Sequence, residues 1–171
     1  MMNKLIGIFM LILLGTFTLN AQQPMKFGHL NSNELMTIMP EFKEMQSQLE
    51  ADFKVKEDQL AVMQEDLQKK QQEYQQTATA LTPAERQAKE SEMGEMSQKV
   101  QNYYLLAQQQ MQAKQNELTA PIIQKLKTAI TEVGDENGFL YIFDLASRVP
   151  VFNSEKSIDV TPLVKAKLGI Q

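Results

Sequence analysis

Few residues in this chain could carry out chemistry. It has one histidine, His29, and no cysteine among its 171 residues. A single imidazole acts as a general base or metal ligand only with convergent partners, and no second histidine, thiol or HExxH pattern supplies them. The carboxylate pairs Glu57/Asp58 and Glu65/Asp66 lie on a helical pattern. Helical neighbours in sequence point about 100° apart, so these pairs read as solvated surface rather than as a general acid and base. No nucleophile–base constellation can be assembled. GxxxxGK followed by Ser or Thr is also absent, so no ATP-driven cycle is legible. The reading is a non-enzyme with no metal and no cofactor, and His29 is assigned to a strand.

Binding chemistry is better represented. Seven methionines (Met36, Met39, Met45, Met63, Met93, Met96 and Met111) fall between residues 33 and 133. The thioether side chain is flexible and polarizable, which suits a surface that must fit many partners. Its helical spacing here suits the filling of a helix–helix seam still better. Glutamine recurs in QKKQQEYQQ and AQQQMQAKQ, giving helix-forming surface without charge. Tyr103 and Tyr104 are adjacent, so one is expected to pack while the other faces outward.

These residues need long elements to position them. The chain opens with Lys4, an apolar run LIGIFMLILLGTF and the small residue Ala21. That is the form of a secretory signal peptide over residues 1–21, and the run is short of the roughly 20 apolar residues that span a bilayer. With Lys4 removed, 16 basic and 21 acidic residues leave a net charge of −5. The acidity speaks against nucleic acid, which needs clustered Lys and Arg. An exported periplasmic protein is expected.

Leu35, Ile38, Phe42, Met45 and Leu49 step by three and four, and Phe53, Lys56, Leu60, Met63, Leu67, Lys70, Tyr74, Thr77 and Leu81 continue the seam. The step from Leu49 to Phe53 is a four after a four, a stutter that locally relaxes the supercoil. Thr82-Pro83-Ala84-Glu85 is a capping box with proline at the first helical position, so a second helix begins there. Gly94 is a candidate flexing point on it. The pattern predicts a mainly α chain: an antiparallel coiled-coil hairpin over 33–133 with its tip near 78–84. Gly134 and the GDENG stretch are expected to end the second helix.

Outside the hairpin, KFGHLN (26–31), FLYIF (139–143) and VPVF (149–152) read as short strands, and Thr161-Pro162 opens a terminal helix. So little sheet cannot bury enough surface alone, so residues 25–32 and 134–171 are expected to form a small β body completed by other copies of the chain.

The ordered stretches KFGHLNS, MPEFKEMQSQLE, LTPAERQAKE, APIIQKLKTAITEVGDENGFLYIFD and DVTPLVKAKLGI resemble the Skp/OmpH family of periplasmic chaperones across residues 25–170. The resemblance implies a homotrimer whose helical tentacles enclose unfolded outer-membrane proteins without ATP. It implies a trimer body made by Phe27, Leu30, Phe139, Tyr141, Phe143, Val151 and Phe152. It places client contacts on the tentacle, for which Met63, Leu67, Tyr74, Leu81, Met93, Met96, Tyr103, Tyr104 and Met111 are the candidates. One departure stands out. Well-known members carry basic tentacles, whereas residues 33–133 here hold 11 basic and 16 acidic residues. That speaks against contact with lipopolysaccharide or anionic membrane. The alternative function is a periplasmic coiled-coil adaptor docking end-on to an envelope machine, which would call for a chemically distinctive tip.

Overall fold

The computed structural model describes residues 25–170, so the signal-peptide reading lies outside the described residues. Strand β1 (Lys26–Leu30) leads into helix α1 (Ser32–Ile38). The Asn31 side chain caps α1 by accepting from the amides of Asn33 and Glu34. Met39 is extended (φ −65°, ψ 134°), as the residue before a proline tends to be. Pro40 then begins α2 (Pro40–Thr77) at a position where its missing amide costs nothing. Pro40 is therefore a fresh start and not a kink within one helix.

Helix α3 (Pro83–Asn137) begins with the expected capping box, with the Thr82 and Glu85 side chains each serving the other's backbone amide. At its far end the GDENG stretch does stop the helix, but at its last glycine and not its first. Gly134 lies inside the helix, which continues to Asn137 and ends at Gly138 in the left-handed conformation (φ 68°). A Cβ at Gly134 would lie 3.5 Å from Ile142 Cδ1, an ordinary contact, so the helix runs through this position without needing its glycine.

Strand β2 (Phe139–Asp144) runs parallel to β1, pairing Phe27 with Tyr141 and His29 with Phe143, with an irregularity between Lys26 and Phe27. The third strand is not VPVF. Residues 149–152 have no regular structure: Arg148 turns the chain in the left-handed region (φ 56°), Pro150 has no amide to donate, and Val151 and Phe152 are 101% and 83% exposed. Strand β3 (Ile158–Asp159) takes the place instead, so the sheet order is β2-β1-β3, all parallel, with α4 (Thr161–Leu168) following.

One face of the sheet carries the core. Leu30, Leu35, Met39, Val160 and Val164 are fully buried together with Ile122, Leu126, Ala129 and Val133 of α3. Gly28 belongs to the same face, and a Cβ there would come 2.9 Å from Val160 Cγ1. Asp144 fastens the base: its carboxylate accepts from the Ser32 hydroxyl (2.6 Å), the Ser32 amide and the Ala146 amide (3.0 Å each). Burial pushes this carboxyl up, but the three hydrogen bonds outweigh that and hold it below its ordinary value.

Candidate functional site on the arms and the sheet face

The two long helices leave the base as a pair. Beyond Met45 and before Ile122 no residue is buried. Polar rungs cross the seam: Lys125 to Glu41, Lys56 Nζ to Gln110 (2.7 Å), Lys70 Nζ to Glu92 (2.6 Å), and the Tyr74 hydroxyl to Glu90. The Lys125 and Lys70 hydrogen bonds hold Glu41 and Glu92 below the usual carboxylate range, and donation to Glu90 pushes Tyr74 up. These groups are exposed, so each pair is screened and contributes little.

Most of the candidate contact residues lie along this seam. Met63, Leu67, Tyr74, Leu81, Met93, Met96, Tyr103 and Met111 are half-buried, most of them one or two helical turns apart on the strip the helices share, whereas Tyr104 is exposed. The adjacent tyrosines thus divide as expected, Tyr103 toward the seam and Tyr104 outward. Gly94 is exposed on α3, with nothing near the place a Cβ would take.

Phe53 departs from the seam that the spacing assigned to it. It is 56% exposed. Leu49, Lys56 and Leu60 on the same seam are half-buried, so the departure is local to Phe53. Where it swings out, α2 and α3 leave a groove of about 610 Å³ walled by Leu49, Phe53, Leu60, Tyr104 and Met111. Sequence reasoning missed this groove because a phenylalanine at a four-residue step reads as core.

At the base, the candidate assembly residues separate into two sets. Leu30 is buried in the chain's own core and Phe139 packs against that core. Phe27, Tyr141 and Phe143 point to the other face, stacked with ring centroids 6.0 to 6.5 Å apart, and remain substantially exposed. His29 alternates with Gly28 and Leu30, beside Phe143, and its Nδ1 lies 2.9 Å from Ser157 Oγ. Asp159, its register partner on β3, is held low by the Thr161 hydroxyl and amide. Among the described residues no three His, Cys, Asp or Glu side chains gather in a way that could hold a metal ion, and no helix is long and apolar enough to cross a membrane.

The fold is thus mainly helical, a long hairpin carried on a small parallel sheet. The family model described as outer membrane protein (OmpH-like) matches residues 26–168, and the chain belongs to that family of periplasmic chaperones for outer-membrane proteins. A comparison with curated proteins gives no match.

Proposed function

We propose that the mature chain is a passive, ATP-independent holdase that shields unfolded outer-membrane proteins in the periplasm. Three copies join through the aromatic sheet face so that their arms enclose a cavity. The observation that carries the reading is the arm itself. From residue 46 to 121 every side chain is at least partly exposed, on helices with polar rungs and a half-buried methionine-rich seam. Such a surface offers many weak contacts and no deep trap, so affinity accumulates by avidity and individual contacts exchange quickly.

The sheet supports the assembly. All-parallel sheets are ordinarily covered on both faces, and here one face presents Phe27, Tyr141 and Phe143 without a cover from the described residues. Three stacked rings exposed to water favour burial against another copy. Val151 and Phe152, more exposed still, are available to extend that contact. The acidic arms make unfolded polypeptide, rather than anionic lipid or lipopolysaccharide, the partner.

The test is light scattering as a urea-unfolded outer-membrane β-barrel protein is diluted with and without residues 22–171, free of ATP. Suppressed aggregation near one trimer per client is the expected result. Unchanged aggregation with a folded, oligomeric protein would refute the holdase. Light-scattering mass on the same sample reads the oligomer, and a monomer at working concentration would refute the assembly.

A further inference from the structure

The apolar surface of the arms is concentrated at one level. Apart from Ile123, every large apolar side chain exposed on α2 and α3 is one of Phe53, Val55, Val62, Tyr104, Leu105 and Leu106. The Lys56–Gln110 rung sets residues 53–62 of α2 opposite this part of α3. At 1.5 Å rise per residue the girdle begins about 20 Å along α2 and ends near 33 Å, while the tip lies near 55 Å. From residue 63 to 103 no large apolar side chain is exposed. The groove walled by Phe53, Leu60, Tyr104 and Met111 lies within the same band.

The charge of the band is one-sided. Residues 50–58 hold Glu50, Asp52, Glu57 and Asp58 against Lys54 and Lys56, and α3 carries no charge from Val100 to Ala113. Neither the four carboxylates nor Lys54 takes part in an ion pair among the described residues, while Lys56 is engaged by Gln110, so the free charge of the band is four negative against one positive. An apolar strip is thus bordered by free negative charge.

We propose that this girdle, and not the distal arm, is where the protein grips its client, and that it prefers extended segments whose aromatic or aliphatic side chains alternate with lysine or arginine. The proposal rests on the holdase reading and adds a place and a preference to it. In an extended chain, side chains of one face recur every 6.5 to 7 Å, roughly. Alternate residues can therefore enter the groove while the cations between them meet the acidic border. Rim charges of this kind select among partners and speed encounter more than they add to affinity.

Two labelled peptides test it, one alternating Tyr and Leu with Lys and the other alternating them with Glu, titrated against residues 22–171 by fluorescence anisotropy. The lysine peptide is expected to bind about tenfold tighter at low salt, with the gap narrowing as salt screens the border. Replacing the four carboxylates (E50Q, D52N, E57Q and D58N) should bring the two peptides within about twofold. Replacing Phe53, Tyr104 and Leu106 by Gln should weaken both about tenfold or more, while Gln75→Ser with Gln87→Ser, nearer the tip, changes neither. All these side chains are exposed, and circular dichroism checks that each variant stays helical.

Equal binding of the two peptides, a preference for the glutamate peptide, or undiminished binding by the Phe53/Tyr104/Leu106 variant would overturn the proposal. The aggregation assay separates it from the reading beneath it. If wild type and the girdle variant suppress aggregation equally, the girdle is wrong and the holdase stands. If wild type fails to suppress aggregation yet binds the lysine peptide through the girdle, the site stands and the holdase is wrong.

Discussion

At the base of the molecule Leu30, Leu35, Met39, Val160 and Val164 are each less than 2% exposed. Along the arms, no side chain between Met45 and Ile122 is fully buried. Both regions draw on aliphatic and methionine residues, the glutamine-rich arms on fewer of them, but composition alone does not set their shapes. Geometry does: the base closes a sheet, α1, α4 and the root of α3 around one volume, whereas two helices alone can share only a strip. A strip holds direction without fixing shape. The base therefore supplies a rigid anchor, and the arms supply length and compliance. Any binding by the arms draws on surface that folding has left unused.

If that division is right, the largest effects of substitution belong to the base. Leu35→Ala should cost about 3 kcal/mol by opening a cavity beneath the sheet, read as a lower midpoint in urea. Gly28→Val should cost about 1–3 kcal/mol, because its side chain would enter the space of Val160 Cγ1. Equal losses from comparable truncations on the arm would erase the distinction.

Asp144 comes next. Asp144→Ala leaves the Ser32 and Ala146 amides without their acceptor and should cost about 2 kcal/mol. The sign with pH follows from its lowered value in the fold. The stabilisation is complete above the ordinary aspartate value near 3.9, roughly, and fades as pH falls through the lower folded value. Wild type should therefore lose stability on acidification more steeply than Asp144→Asn in a urea series at stepped pH.

Smaller effects belong to the seam. Leu67→Ala should cost about 1 kcal/mol or less, since its side chain is only half-buried. Hydrogen exchange should rise around residues 60–75 of α2 while amides of the base stay protected. A uniform rise over both regions would show that they unfold as one unit. The smallest effect is expected at Phe53→Gln, within about 0.5 kcal/mol by melting, although the same change acts strongly on peptide binding.

What the sequence disclosed followed the same division. The tip was readable because Thr82, Pro83 and Glu85 form a local signature that needs no distant partner. The long helices were readable from their period. The exact end of α3 was not, because Gly134 and Gly138 offer equal stops by composition, and only the backbone shows that Gly138 takes the left-handed cap while Gly134 stays helical. The third strand was misplaced for a similar reason. VPVF has the composition of a strand, while Ile158–Asp159 has only two residues and owes its place to pairing with Gly28 and His29. The girdle escaped notice because Phe53 satisfies the seam pattern by spacing and yet is 56% exposed in the fold.

The position of β1 has a consequence for the order in which this chain assembles itself. It is the first element of the described chain and the middle strand of the sheet, with β2 and β3 on either side supplied from beyond the entire hairpin. Helices need only their neighbours, so the arms can form as soon as they emerge, within microseconds or so. The sheet must wait for residues 139–159, and closing it joins parts of the chain separated by two long helices, a slow, nonlocal step. Until those residues are made, the two helices can exist without their anchor. Only the arrival of residues 139–159 joins the pair to a fixed base, so the fold is completed from its C-terminal side.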